Sequence, residues 1–313
     1  MLGRIIEIAN DNRHLFVSRG FMVVSQTGAE REELGHIPLD DITAVIANAH
    51  GLSYTNNLLV ALAERGVPFV LCAANHNPVG MIWPVDGHCH QAGRFDAQLA
   101  AGKPLRKRLW AAIVKCKLGQ QAAALEAVGA ATAPLAALAR RVRVGDPENL
   151  EALGARRYWQ LLFGADFRRD RNAGGLNGLL NYGYTVLRAA TARAIIAAGL
   201  HPSLGLHHAN QSNAMRLADD LMEPFRPLID LLAFWLDREG YGEVTAETKR
   251  AMVRSLYDDM QTEAGATPAF VCLQKLATSL ALVLLGERDR LELPLPGLPL
   301  ALAATLDRGK SAC

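Results

Sequence analysis

A change in residue usage near residue 100 is the feature that most constrains how this chain can fold. Before it, short runs rich in Ile, Val and Phe are separated by Asn, Asp and Gly turns, a pattern typical of strands. After Arg106, strong helix formers such as Ala, Leu, Gln, Arg and Lys dominate to about residue 290. The sequence therefore predicts an α+β protein with an N-terminal β-rich domain at 1–91, a linker at 92–102 and a larger all-α helical domain at 103–313.

The apolar spacing predicts individual elements within both domains. The predicted strands are Arg4–Ala9, His14–Val24, Ile42–Ala47 and Pro68–Cys72. The predicted helices are Ser53–Arg65, Lys103–Val128, a helix that begins after Asn149 as its cap, Asn177–Ala198, Leu228–Arg238, Thr245–Gln261 and Ala269–Leu285. In the helix from Lys103, Leu109 and Ile113 lie at core spacing, and we expect Lys115 and Lys117 on its surface.

Charge is distributed unevenly along the 313 residues, although the net charge is only +2. Residues 1–90 hold five Arg and Lys against nine Asp and Glu, whereas residues 91–313 hold 28 against 22. Several basic clusters in the helical part favour a polyanionic partner such as DNA, although any one of them also fits a solvated helix face.

Targeting signals and cysteine usage narrow the class of protein. No signal-peptide pattern opens the sequence, and no apolar run approaches the length of a membrane span, so we expect a cytoplasmic protein without a membrane partner. The five cysteines are scattered without paired spacing, and we expect reduced thiols rather than disulfides.

The stretch Gly199–Pro227 holds the densest set of residues able to do chemistry. These are His207, His208, Asp219, Asp220 and Glu223. On a helix, either aspartate can share a face with Glu223, and acids that share an apolar helix face repel each other. Such acids need a compensating cation, which a divalent metal or an arginine would supply, unless they are simply solvated surface groups.

A second acidic position, Glu151, falls in the first turn of the helix predicted after Asn149. The helix dipole alone would stabilise a carboxylate there. Its neighbours Arg156, Arg157 and Trp159 are suited to phosphate contact and base stacking, although the aromatic residue fits a packed core equally well.

These segments resemble the CRISPR-associated integrase family, the nuclease subunit of the spacer-acquisition complex (Cas-one). The resemblance rests on three blocks that occur in the family's order: Glu151-Ala-x-x-Ala155-Arg156-x-Tyr158-Trp159, then Leu180-Asn181-Tyr182-Gly183-Tyr184, then Gly205-x-x-His208 followed by LADDLMEPFRP at Leu217–Pro227. The last block and the AHG-x-x-Y-x-N-N segment at Ala49–Asn57 are similar to the type II subtype, which accompanies a single-protein RNA-guided effector nuclease.

The resemblance implies a metal-dependent endonuclease and integrase. Such an enzyme inserts spacer DNA into a CRISPR array when a 3′-hydroxyl attacks repeat phosphodiesters. By position, Glu151, His208 and Glu223 would be the catalytic metal ligands, and Asp220 would be an auxiliary ligand or would support the ligands from behind. Two carboxylates and one imidazole suit Mg²⁺ or Mn²⁺.

The resemblance also implies partners. The β-rich domain would form a homodimer, and a ferredoxin-like adaptation subunit (Cas-two) would join two dimers into a heterohexamer on double-stranded DNA. The RNA-guided effector nuclease is a further candidate partner. The candidate DNA-binding residues are Arg156, Arg157, Arg168, Arg169, Arg171, Tyr182 and Arg226.

Two other functions are compatible with the same residues. A DNA-binding scaffold without catalysis would use the basic clusters alone, and its DNA binding would be insensitive to chelators. A helical metallohydrolase acting on a small phosphorylated substrate would show little dependence of substrate binding on salt.

Overall fold

The computed structural model describes residues 4–28, 32–73, 78–85 and 87–297, and the chain forms two compact units, 1–91 and 92–313. The first unit is rich in strands and the second in helices, so the predicted α+β class is confirmed. The stretch 92–102, expected to link the domains, lies mostly in a helix.

The first unit contains two four-stranded sheets and one helix in its described residues. Its elements are β1 (Arg4–Ile8), β2 (Arg13–Ser18), β3 (Phe21–Gln26), β4 (Glu33–Pro38), β5 (Ile42–Ala47), β6 (Ser53–Tyr54), α1 (Asn56–Glu64), β7 (Phe69–Cys72) and β8 (Pro78–Ile82). One sheet has the order β1-β5-β7-β8, with parallel pairing except between β7 and β8. The other has the order β4-β3-β2-β6, which is antiparallel except for β6.

Apolar side chains from both sheets and from α1 form the core of this unit. Leu15 of β2, Val45 of β5, Leu58 of α1 and Phe69 of β7 all belong to one buried cluster. Strand β5 is buried along almost its whole length, as expected for a parallel strand covered on both faces.

Two features of the first unit differ from the sequence prediction. The run His14–Val24 is not one strand but the hairpin β2–β3, because Arg19 and Gly20 both adopt positive φ angles (48° and 82°) and form a two-residue turn. Helix α1 begins later than predicted, since Ser53 pairs with β2 and the side chain of Thr55 caps the helix.

The second unit is built of helices and one hairpin. Its elements are α2 (Gln91–Ala100), α3 (Lys103–Ala127), α4 (Ala133–Arg141), α5 (Leu150–Phe163), α6 (Gly175–Ala197), α7 (Arg216–Leu221), α8 (Arg226–Arg238), α9 (Ala246–Arg254), β9 (Asp259–Thr262), β10 (Gly265–Pro268) and α10 (Ala269–Leu284). A 3₁₀ turn, Glu223–Phe225, connects α7 to α8.

Helix α6 lies at the centre of this unit and packs against α7, α8, α9 and α10. A Cβ atom at Gly183 of α6 would overlap Ile229 and lie 2.9 Å from the Sδ atom of Met252, so this close approach requires glycine. Helix α3 packs against α4, α5, α8 and the turn at Glu223–Phe225. This packing brings residues from distant parts of the chain to one place.

The predicted helix Thr245–Gln261 is wrong in its second half. Met252, Leu256 and Met260 have helical spacing and are all buried, but α9 ends at Arg254. Residues 259–268 instead form the hairpin β9–β10, which turns at Gly265 with a φ of 98°.

Two further properties concern membranes and thiols. None of the helices within the described ranges has the length and apolar character needed to cross a bilayer. In the described part of the chain, Cys89, Cys116 and Cys272 are free thiols, whereas Cys313 lies outside it.

Candidate active site

A buried lysine joins Glu151 and Glu223. The Nζ atom of Lys117, on α3, donates a hydrogen bond to Oε1 of Glu151 and lies 2.5 Å from Oε2 of Glu223. The contact with Glu223 is an ion pair rather than a well-aligned hydrogen bond. The side chains of Lys117 and Glu223 are only 5 % and 4 % exposed, and that of Glu151 is 24 % exposed. The protein therefore supplies a cation to these acids itself.

The expectation that Lys117 lies on the surface of α3 is wrong. Lys117 is four residues after Ile113 and eight after Leu109, so it continues the stripe of α3 that faces the core. Burial alone would lower the pKa of Lys117, but the charges of Glu223 and Glu151 outweigh burial and raise it. The lysine is therefore charged at neutral pH.

Glu223 is held between two cations. Its Oε1 atom accepts a 2.7 Å hydrogen bond from Nη1 of Arg226, one helical turn further along the chain. Burial would raise the pKa of Glu223, but the charges of Arg226 and Lys117 lower it to about 2. Glu223 is thus a carboxylate at every pH at which the protein would be studied.

An aromatic and acidic layer supports Arg226. Its guanidinium carbon lies 4.2 Å from the centre of the Tyr184 ring, a cation–π contact. The hydroxyl of Tyr184 donates a hydrogen bond to Oδ1 of Asp230 on α8. Burial raises the pKa of Asp230 to about 7, even though Tyr184 and Arg226 oppose the shift. Sequence reasoning missed Asp230 because nothing local marks it as buried.

Helix α5 presents Glu151 from its first turn. The predicted cap, Asn149, has a left-handed backbone with a φ of 50° and makes no capping hydrogen bond through its side chain. Asp146 performs this role, since its carboxylate accepts 2.9 Å hydrogen bonds from the backbone nitrogens of Leu150 and Glu151. The prediction of Asn149 as the cap is therefore wrong, although the start of the helix was predicted correctly.

Asp220 organises the loop that carries His208. It is fully buried, and its two oxygens accept hydrogen bonds from the backbone nitrogens of Leu206, His207 and His208. Oδ1 also bonds Nδ1 of His208 at 2.7 Å. A Cβ atom at Gly205 would lie 3.0 Å from Oδ2 of Asp220 and 2.8 Å from the carbonyl oxygen of His208, so the loop requires glycine there. Asp220 thus positions His208. Both carboxylate oxygens of Asp220 already take part in hydrogen bonds.

Nearby carboxylates raise the pKa of His208. The hydrogen bond with Asp220 is the main cause that raises its pKa; burial opposes this, and the charges of Asp220, Glu223 and Asp219 raise it further. Its Nε2 atom makes no hydrogen bond within the described part of the chain. Since a carboxylate fixes Nδ1, Nε2 is the atom that His208 can offer to a ligand.

His207 and Asp219, the neighbours of these residues in sequence, have other contacts. The ring of His207 stacks on the buried Trp110 of α3, with centroids 4.2 Å apart and planes within 2°. Asp219 accepts two hydrogen bonds from Arg188, at 2.7 and 2.9 Å, and one from Asn213. Both residues therefore support the loop and α7.

Glu151, Glu223 and His208 are the candidate ligands for a divalent cation. No three His, Cys, Asp or Glu side chains form a ready-made metal cluster in the ranges that the structure describes. However, Glu151 and Glu223 already share one cation, the Lys117 ammonium, and the charge of Glu223 reaches His208. Two carboxylates that converge on a cation, together with an imidazole whose Nε2 makes no hydrogen bond in the described chain, fit Mg²⁺ or Mn²⁺ in the chemistry of their donor atoms.

Comparison with known proteins identifies the family to which this chain belongs. The family model described as CRISPR associated protein Cas1 matches residues 6–248. The chain belongs to the Cas1 family. A CRISPR-associated endonuclease Cas1 from Neisseria meningitidis serogroup C (strain 8013) is 36 % identical over 284 residues, which cover 89 % of this chain and 91 % of that protein. The resemblance inferred from the sequence motifs is confirmed.

Two solved structures share the Cas1-like fold. A casposase bound to an integration product has a TM-score of 0.78 at 19 % identity, and the match covers 92 % of both chains. A Cas6-RT-Cas1–Cas2 complex has a TM-score of 0.74 at 18 % identity, and the match covers 95 % of this chain and 36 % of that one. At these identities, the likeness concerns the fold alone.

The candidate DNA-binding residues of this Cas1 family member separate into two groups. Arg156, Arg157, Arg168 and Arg171 are exposed, and none of them forms an ion pair within the described chain. Arg168 hydrogen-bonds backbone carbonyls of its own loop. This first group remains available to phosphates.

The second group makes contacts within the described chain, and its DNA binding stays a prediction. Tyr182 is 1 % exposed and belongs to the core of the helical unit. Arg226 is engaged by Glu223 and Tyr184. Arg169 is half-buried, and its guanidinium donates to the side chains of Asn177 and Asn181, which fixes the loop before α6.

Proposed function

We propose that this chain is a metal-dependent endonuclease and integrase that inserts spacer DNA into a CRISPR array through attack of a 3′-hydroxyl on repeat phosphodiesters. One observation supports the proposal above all: Glu151 and Glu223, 72 positions apart in the sequence, converge on a single buried cation, and the charge of Glu223 helps to raise the pKa of His208. The Neisseria relative is named an endonuclease, and the casposase of similar fold was solved with an integration product. Both names agree with strand transfer.

Glu151, Glu223 and His208 would hold the divalent cation, Mg²⁺ or Mn²⁺. When bound, such an ion supplies Lewis-acid stabilisation of the negative charge that develops on a phosphoryl oxygen. Asp220 was expected either to bind the ion as an auxiliary ligand or to support the ligands, and its hydrogen bond to His208 favours the supporting role. The buried carboxylate of Asp220 holds Nδ1 of His208 and thereby fixes the direction of Nε2.

The chain's own residues prepare this site before DNA arrives. Arg226 and Lys117 keep Glu223 ionised, so no proton has to be displaced from it at neutral pH. Asp146 fixes the first turn of α5 and thereby the position of Glu151. The exposed arginines Arg156 and Arg157, one to two turns further along α5, would bind the phosphate backbone.

The proposed assembly is a homodimer that joins a Cas2 partner into a heterohexamer on double-stranded DNA in the cytoplasm. A Cas1–Cas2 complex is among the structures of similar fold. Edge strands β4 and β8 carry the exposed apolar side chains of Leu34 and Val79, which would suit a protein contact. We further propose that the system is of type II, in which the effector nuclease is an additional partner.

The experiment uses the full chain, a short duplex with free 3′ ends and a supercoiled plasmid that carries the repeat, with MnCl₂ and with or without Cas2. We expect covalent joining of the duplex to the plasmid, and its loss in Glu151→Gln. Glu148→Gln is the matched control, because Glu148 lies three residues earlier and, among the described residues, forms ion pairs with Arg141 and Arg143 alone. Full strand transfer by Glu151→Gln would refute the assignment.

The same strand-transfer reaction, together with binding measurements in EDTA and at several salt concentrations, distinguishes the two alternative functions. A scaffold without catalysis predicts that EDTA changes neither DNA binding nor any activity. A hydrolase for a small phosphorylated substrate predicts that its substrate binding changes little with salt, whereas duplex DNA binding falls steeply. We expect loss of joining in EDTA and steep salt dependence of DNA affinity.

A further inference from the structure

We propose that Lys117 is the resident counter-ion of the Glu151–Glu223 pair and that it competes with the divalent cation for these carboxylates. The inference rests on the proposed function, because it takes the same two acids as ligands. It adds a role for a residue that belongs to none of the sequence motifs.

Lys117 contacts both carboxylates of the pair. Among the described residues, Lys117 is the one cation that touches both carboxylates, which come from α5 and from the turn before α8. Its side chain is 5 % exposed, so water does not replace these contacts. Without Lys117, two carboxylates would face each other in a buried place.

The charges of the cluster are balanced in the absence of a metal ion. Two carboxylates, Glu151 and Glu223, are balanced by two cations, Lys117 and Arg226, so the cluster is neutral. A divalent ion bound to the same carboxylates would add two positive charges next to a buried ammonium. Because like charges repel strongly where water is excluded, Lys117 has to release at least one carboxylate when the ion binds.

The two cations differ in how firmly they are held. Arg226 is fixed by the Tyr184 ring as well as by Glu223, and its planar group suits both contacts. Lys117 has a flexible four-carbon chain, and its described polar contacts are the two carboxylates alone. Lys117 is therefore the cation that exchanges, whereas Arg226 stays and keeps Glu223 oriented.

The experiment measures MnCl₂ binding to the full chain by titration calorimetry without DNA, in the wild type, Lys117→Met and Lys115→Met. Met keeps the length of the side chain and removes the charge. Lys115 is the matched control, because it lies on the same helix but is exposed. We expect Lys117→Met to bind Mn²⁺ about tenfold more tightly, since one competing charge is gone, and Lys115→Met to match the wild type.

Thermal unfolding gives a second readout. In EDTA, we expect a lower Tm for Lys117→Met than for the wild type, and a larger rise in Tm when MnCl₂ is added. Equal or weaker Mn²⁺ affinity of a folded Lys117→Met would overturn the competition. Absence of Mn²⁺ binding in both the wild type and a folded Lys117→Met would overturn the proposed metal site itself, which is a distinguishable result.

A measurement on the wild type covers the case in which Lys117→Met does not fold. Brief acetylation with acetic anhydride, followed by mass spectrometry, reports the accessibility of each lysine. We expect Lys117 to be protected in EDTA and labelled several-fold more in MnCl₂, whereas Lys115 is labelled equally in both. Unchanged protection of Lys117 would overturn the proposal.

Discussion

The buried cluster around Glu223 and the exposed arginines of α5 use charge in opposite ways. In the cluster, Glu223, Lys117 and Arg226 each have a partner of opposite charge, and Glu223 is almost inaccessible to solvent. On the surface, Arg156 and Arg157 have no ion-pair partner in the described chain. In these two regions, the buried charges are paired within the protein, whereas the exposed charges of Arg156 and Arg157 are left for a partner.

This difference determines what a mutation does in each region. Removal of one member of a buried ion pair leaves an uncompensated charge away from water, which costs stability. Removal of a solvated arginine costs the fold little, but it reduces the number of phosphates that the protein can neutralise. Stability measurements therefore test the cluster, and salt-dependent DNA binding tests the arginines.

The largest effect is expected for Glu223→Ala. It would leave Lys117 and Arg226 without their shared carboxylate, so we expect a loss of about 3–5 kcal/mol in the free energy of unfolding. Glu151→Ala should lose less than half as much, because Glu151 is partly exposed and Lys117 keeps Glu223. Urea unfolding in EDTA measures both. Equal losses would show that Glu223 is not the anchor of the cluster.

Asp230→Asn tests the buried layer through pH. The pKa of Asp230 is about 7 in the folded protein and near 3.8 when unfolded, so the folded state holds an extra proton between these values. The free energy of unfolding should therefore fall as pH rises from 4 to 7, by at most about 1.4 kcal/mol per pH unit from this group. We expect Asp230→Asn to flatten this slope in urea titrations at several pH values.

Asp237→Asn is the control for this prediction, because Asp237 is exposed on the same helix. It should leave the slope unchanged. A slope that is identical in the wild type and in Asp230→Asn would mean that Asp230 is ionised throughout the range.

The smallest effect is expected on the surface. The double variant Arg156→Ala/Arg157→Ala should weaken duplex DNA binding and reduce the slope of log K against log salt by about two. The control is Arg141→Ala/Arg143→Ala, which removes the same charge from arginines that already pair with Glu148. A smaller slope change is expected there. Equal changes would mean that pairing within the chain does not determine which arginines bind DNA.

Sequence reasoning found the parts of the site that local patterns encode. Glu151, His208 and Glu223 lie in short motifs, and most helices of the second unit begin and end within a few residues of their predicted bounds. It missed Lys117 as a partner, because periodicity shows which face of α3 is buried but not which residue 106 positions away meets it. The need for a compensating cation was correctly inferred, and so was an arginine as its source, since Arg226 pairs with Glu223 and Arg188 pairs with Asp219. The additional lysine, Lys117, was not foreseen.

The remaining errors have a similar cause. Thr245–Gln261 carries helical spacing throughout, yet β9 pairs with β10 because Gly265 permits a turn that the apolar pattern does not reveal. Asn149 satisfies the composition rule for a cap, but the backbone at Asp146 directs that carboxylate onto the same nitrogens. In both cases, several conformations suit the local sequence, and the packed chain selects one.

Gly205 offers a way to disturb the histidine loop without altering any charge. The carbonyl oxygen of His208, the Cβ atom of Arg216 and the carboxylate of Asp220 would lie 2.8–3.0 Å from a methyl group at this position, so the loop packs closely around the missing side chain. Even alanine would have to push apart the carboxylate and the backbone that together aim the imidazole. Gly205, which has no side chain, therefore determines how the imidazole of His208 is aligned.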